Sequence, residues 1–78
     1  MSILQSRAGL SIVIPAYNEQ QRLPRTLNEL DRYRTRFDGN FEVIVVDDGS
    51  VDDTVAVVKQ HAVTMPWLQA LERAHRGK

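Results

Sequence analysis

The residues of this chain best suited to chemistry are carboxylates at the end of an apolar run. Val43, Ile44, Val45 and Val46 stand in a row; Asp47 and Asp48 follow at once, then Gly49 and Ser50, then Asp52 and Asp53. Four consecutive β-branched residues read as a strand buried on both faces, of the kind found inside a parallel sheet. Such a strand carries its terminal acids to the carboxyl edge of the sheet, where open α/β folds bind ligands. A second set of candidates, Pro15, Ala16, Tyr17, Asn18 and Glu19, follows another apolar run at residues 10–14. A tyrosine ring can stack on a nucleobase. A carboxylate can accept from a base imide N–H or a ribose hydroxyl. This loop lacks the glycine pattern that brings backbone against a pyrophosphate, and the lysine-bearing phosphate loop is absent too. Its groups suit a base and a sugar better than a phosphate.

The elements that must position these groups alternate. Residues 10–14 (Leu-Ser-Ile-Val-Ile) form a first strand, ended by Pro15, which cannot donate to a ladder. A helix starts near Leu23 with Pro24 in its first turn; Leu23, Leu27, Leu30, Tyr33 or Arg34, and Phe37 make one apolar stripe. Asp38, Gly39 and Asn40 stop it. The central strand covers residues 41–46. Ser50 or Asp52 is placed to cap a second helix, with Val55, Val58, Ala62 and Val63 on its buried face. Met65 and Pro66 end that helix. Residues 67–71 read as a third strand, although residues 71–74 fit a helix equally well. The order β-α-β-α-(β) implies right-handed crossovers and a Rossmann-like parallel sheet. Both loops then fall at one sheet edge, with Tyr17, Asn18 and Glu19 facing Asp47 and Asp48.

The totals narrow the class. Seventy-eight residues allow one small domain, and a formal net charge of zero gives no grip on a nucleic-acid backbone, so no nucleic-acid partner is expected. Cysteine is absent, which removes disulfides and thiolate metal sites. No apolar run approaches the ~20 residues of a membrane helix. Residues 1–9 lack the apolar core of a secretory signal and read as a flexible tail. Residues 10–78 read as an incomplete domain, since the chain closes on Arg76, Gly77 and Lys78 with no further element. The bland alternatives weigh against some candidates. Asp52 and Asp53 read as caps. His61 and His75 make no metal set. Trp67 reads as packing, and the arginines at 22, 25, 32, 34 and 36 as a solvated helix face.

Residues 10–19, Leu-Ser-Ile-Val-Ile-Pro-Ala-Tyr-Asn-Glu, together with Val-Ile-Val-Val-Asp-Asp-Gly-Ser-Val-Asp-Asp-Thr at 43–54, resemble the start of a family 2 glycosyltransferase of the GT-A fold. Arg-Leu-Pro-Arg-Thr-Leu at 22–27 is most similar to the dolichyl- or polyprenyl-phosphate sugar transferase branch, and His75 to Lys78 resemble the loop after that family's third strand. The resemblance implies the N-terminal, donor-binding part of an enzyme that moves a sugar from a UDP- or GDP-sugar to an acceptor such as a polyprenyl phosphate. It implies that Pro15, Ala16, Tyr17 and Glu19 line a nucleoside pocket, that Asp48 bonds the base edge with Asp47 beside it, and that Arg76 and Lys78 lie near the nucleotide. It also implies Mg²⁺ or Mn²⁺ and a catalytic base in the full-length enzyme, both supplied by later motifs, so no catalytic residue and no metal ligand is assigned here and the piece alone is expected to be inactive. A cytoplasmic location follows from the same resemblance, with membrane association left to sequence beyond residue 78. An exposed sheet edge implies self-association. A different reading is a stand-alone nucleotide-binding or receiver-like regulatory module, but receivers place their acidic pair after the first strand, not the second.

Overall fold

The computed structural model describes residues 2–6 and 9–73. Its elements run β1 (Ser2–Ser6), β2 (Gly9–Ala16), α1 (Leu23–Arg34), β3 (Asn40–Asp48), α2 (Thr54–Ala62) and β4 (Leu68–Arg73). The strands form one sheet in the order β1-β2-β3-β4, with β2, β3 and β4 parallel and β1 antiparallel to β2. The expected β-α-β-α-β core is therefore present, including the third strand, which continues as strand through Arg73.

Three details differ from the sequence reading. Residues 2–6 are a paired edge strand where a flexible tail was expected; Ile3 stands opposite Ile12 and Leu4 opposite Ser11. Pro15 does not end β2. Among the described residues β1 pairs β2 only as far as Val13, so Pro15 has a strand neighbour on the β3 side alone, and an edge tolerates a missing donor. Finally, β3 is not buried on both faces. Val43 and Val45 are fully buried, whereas Ile44 and Val46 are only half-buried. The strands advance in one direction across the sheet, so two right-handed crossovers put α1 and α2 on the same side.

That side holds the core. Leu10, Ile12, Ile14 and Ala16 of β2, Val43 and Val45 of β3, and Leu68 of β4 pack with Leu23 and Leu27 of α1, Val58 of α2, Met65 and Trp67. Each fully buried aliphatic side chain here contributes roughly 1.5–3 kcal/mol. Period-2 alternation in the strands meets the three- and four-residue spacing of α1, which is why the two patterns share one layer. Gly9 is required at the start of β2: a Cβ there would lie 2.4 Å from the carbonyl oxygen of Asn40, its register partner on β3. The opposite face of the sheet carries Leu4, Val13, Ile44, Val46 and Leu71 and is not covered by a helix of the described residues.

Candidate functional site

The two loops at the carboxyl edge meet, as the parallel topology requires. Ala16 and Asp47 are register partners on neighbouring strands, so Tyr17 and Asp48 lie next to each other in the chain traces leaving β2 and β3. Tyr17 is half exposed and Asp48 is exposed. By strand alternation Pro15 and Asp48 stand on the uncovered face, while Ala16 and Asp47 turn to the helix layer.

What joins the loops is a set of polar contacts between residues more than thirty positions apart. The Asn18 N–H donates to Ser50 Oγ at 2.8 Å, and the Val51 N–H donates back to Asn18 Oδ1 at 3.0 Å. The Glu19 N–H donates to Thr54 Oγ1 at 2.8 Å, and the Gln20 N–H to Asp52 Oδ2 at 3.3 Å. The Asp53 N–H donates to Gln20 Oε1 at 2.8 Å. Backbone donors of each loop are thus satisfied by side chains of the other. Such donors would otherwise be orphaned at the starts of the two helices. Asn18 adopts φ +53°, a left-handed conformation that asparagine tolerates better than most residues. Gly49 at φ +80° makes the turn that lets Ser50 come back over β3.

The paired aspartates have different surroundings. Asp47 is buried, and both carboxylate oxygens accept from Ser50: Oδ2 from its N–H at 3.0 Å, Oδ1 from its hydroxyl. Asp48 has no hydrogen-bond or ion-pair partner among the described residues and presents its carboxylate to solvent. Asp52 is neither free nor a simple cap. Its Oδ1 accepts from the Thr54 N–H at 3.0 Å and from the Thr54 hydroxyl, while Oδ2 takes the Gln20 N–H. Desolvation pushes its pKa up, but the bonds from Thr54 and the Gln20 N–H together outweigh it and hold the carboxyl below its ordinary value. Asp53 is the N-cap residue of α2, and its side chain makes no capping bond.

On the outer side of β2 a small pocket of about 170 Å³ is lined by Ile14, Pro15, Ala16, Glu19, Arg22, Leu23 and Thr26. Drug-sized ligand sites run to roughly 300–1,000 Å³, so this pocket admits one ring at most. Glu19 at its rim is paired with Arg22, Nε to Oε1 at 3.1 Å. The structure therefore gathers Pro15, Ala16 and Glu19 around one hollow, while Tyr17 and Asp48 leave neighbouring strands at the same carboxyl edge and do not line it. Arg76 and Lys78 lie outside the described residues. Four participants escaped the sequence reading: Asn18 and Gln20 as cross-loop partners, Thr54 as acceptor, and Arg22 as partner of Glu19. The one local signal was a run of three amide-bearing side chains interrupted by an acid, Asn18 to Gln21.

Among the described residues no group of three or more His, Asp or Glu side chains is placed to hold a metal ion. The carboxylates of Asp47 and Asp52 are engaged in hydrogen bonds within and between these loops. No helix of the described residues is long and apolar enough to cross a membrane.

The family model described as glycosyl transferase family 2 matches residues 11–74, a span that includes both loops of this sheet edge. The chain belongs to glycosyl transferase family 2. Its fold is the Rossmann-like N-terminal part of the GT-A architecture. This family 2 chain is 41% identical over 71 residues to a dolichyl-phosphate β-glucosyltransferase of Trichomonas vaginalis, covering 85% of this chain and 22% of that protein. It is 43% identical over 53 residues to an undecaprenyl-phosphate 4-deoxy-4-formamido-L-arabinose transferase of Pseudomonas syringae, covering 68% of this chain and 16% of the relative. It is 40% identical over 78 residues to the dolichyl-phosphate β-glucosyltransferase of Drosophila melanogaster, covering 87% and 24%. The chain thus spans about a fifth of the length of these relatives. No solved structure matches at a significant level.

Proposed function

We propose that this chain binds the nucleoside end of a UDP- or GDP-sugar, as the donor-binding part of a sugar transferase acting on a polyprenyl-phosphate acceptor. The observation that supports it most is the placement of Tyr17 and exposed Asp48 side by side at the carboxyl edge of a parallel sheet, the edge at which Pro15, Ala16 and Glu19 line a hollow. Tyr17 supplies a ring for stacking. Asp48 supplies an acceptor for a base N–H, and Glu19 an acceptor for the ribose or base. These contacts orient a donor; they break no bond, so their contribution to transfer is positional. The names of the relatives support the acceptor class. The metal and the catalytic base of transfer have no place in this proposal among residues 2–6 and 9–73, and the piece by itself is inactive in transfer. Arg76 and Lys78 keep their proposed role near the nucleotide, and the proposed location is cytoplasmic.

Calorimetric titration of the chain with UDP and with GDP tests this reading. Binding of one of them is expected, weakened about tenfold or more in Asp48→Ala, as loss of a hydrogen bond to a charged acceptor implies. No binding of either nucleotide, or equal binding by Asp48→Ala, overturns it. Self-association belongs to the same proposal. The outer edges of β1 and β4 pair with no strand among the described residues, and sedimentation velocity is expected to show species heavier than 8.9 kDa.

A further inference from the structure

Tyr17, Glu19 and Asp48 have roles in the proposed donor site; the polar groups between them have none there. We propose that Asn18, Gln20 and Ser50 are positioning residues. They clasp the loop after β2 to the loop after β3, so that Tyr17 and Asp48 are held in register before a nucleotide arrives. This rests on the proposed donor site and adds how that site is kept in shape.

The contacts form two sets, one around Ser50 and one around Asp52, side by side along the same pair of loops. Buried Asp47 fixes Ser50 through both its N–H and its hydroxyl. The same Ser50 Oγ accepts the Asn18 N–H, and Asn18 Oδ1 takes the Val51 N–H in return. Two residues on, Gln20 repeats the exchange: its N–H donates to Asp52 and its Oε1 accepts from Asp53. Each first-loop amide thus gives its backbone donor and receives one through its side chain. Tyr17 sits immediately before the first exchange, and Asp48 lies between Asp47 and Ser50. In this arrangement Asp47 acts through Ser50 rather than on the nucleoside. Apolar packing does not supply the register here, because the side chains of Asn18, Val51 and Asp53 are exposed. Directional bonds do, and pre-formed geometry lowers the ordering cost of binding.

The test compares Gln20→Met, which keeps length and removes the acceptor, with Ser50→Ala and the hydroxyl-retaining Ser50→Thr. Two quantities are read on the full chain: amide hydrogen exchange at Asn18, Val51 and Asp53, and the Kd for UDP and GDP. Gln20→Met and Ser50→Ala are expected to speed exchange in both loops about tenfold and weaken nucleotide binding by a similar factor. Exchange at Val43 and Val45 should hold its wild-type rate, which separates a loosened clasp from a failed fold. Ser50→Thr should restore both readouts. Unchanged loop exchange, or faster exchange with unchanged Kd, overturns the proposal. If the wild-type chain binds neither nucleotide, the donor reading fails on that result alone, and the exchange rates still decide whether the clasp holds the loops.

Discussion

The two ends of the sheet are held together by different physics. At the end away from the candidate site, Tyr33, Phe37, Phe41 and Trp67 form a chain of rings. Their centroids lie 6.4 Å apart for Tyr33 and Phe37, 6.0 Å for Phe37 and Phe41, and 5.3 Å for Phe41 and Trp67, the last edge to face. At the carboxyl edge no such cluster exists among the described residues; the loops are joined by hydrogen bonds between side chains and backbone. Ring packing is adaptable and contributes bulk stability, about 0.5–1.5 kcal/mol per pair beyond burial. A hydrogen bond contributes a similar net amount, about 0.5–1.5 kcal/mol, but only in one geometry. The interactions are of similar worth one by one; what differs is geometric definition, which is sharper at the edge that carries the candidate site.

This contrast can be broken at either end. The largest effect is expected from Trp67→Ala, a buried anchor of the ring cluster, at roughly 3–5 kcal/mol. A domain of this size has about 4–12 kcal/mol in total, so the urea midpoint should fall by roughly a quarter or more. Gly49→Ala comes next. It forces a side chain into φ +80° and should cost about 1–2 kcal/mol by thermal melt, with the damage localised to the second loop in exchange data.

A pH dependence sharpens the comparison. Asp52 in the folded chain has a pKa below its ordinary value near 3.9, so the unfolded chain binds its proton first. Its stabilising effect is complete above about pH 4 and is lost as pH falls through the lower, folded value. Loop amides such as Gln20 should therefore lose protection in acid before those of Val43, and Asp52→Asn should remove that early step, as read by pH-dependent NMR. The smallest effect on stability is expected from Asp48→Ala, within about 0.5 kcal/mol, because this exposed carboxylate has no partner among the described residues. Its consequence should appear in nucleotide binding alone.

Much of this was legible in the sequence, for identifiable reasons. The β3 run Val43 to Val46 and the α1 stripe Leu23, Leu27 and Leu30 are strong local patterns, and alternation alone sets their parallel arrangement and the shared edge. β1 was not legible, because Ser-Ile-Leu-Gln-Ser is short and becomes a strand only through its pairing with β2. The half-open β3 depends on both crossovers running one way, a global property that no single strand records. That Asp47 is buried and Asp48 exposed could not be read from the strand pattern either. Adjacent identical residues on a strand face opposite sides, but which side the helices cover is decided elsewhere. The clasp pairs residues 32 to 35 apart, beyond any local rule.

The most direct measurement is chemical-shift mapping of the isotopically labelled chain during titration with UDP and with GDP. The account predicts perturbations at Ala16, Tyr17 and Glu19 together with Asp48 and Gly49, and none at Phe37, Phe41 or Trp67. Perturbations confined to the ring cluster, or at only one of the two loops, would contradict it.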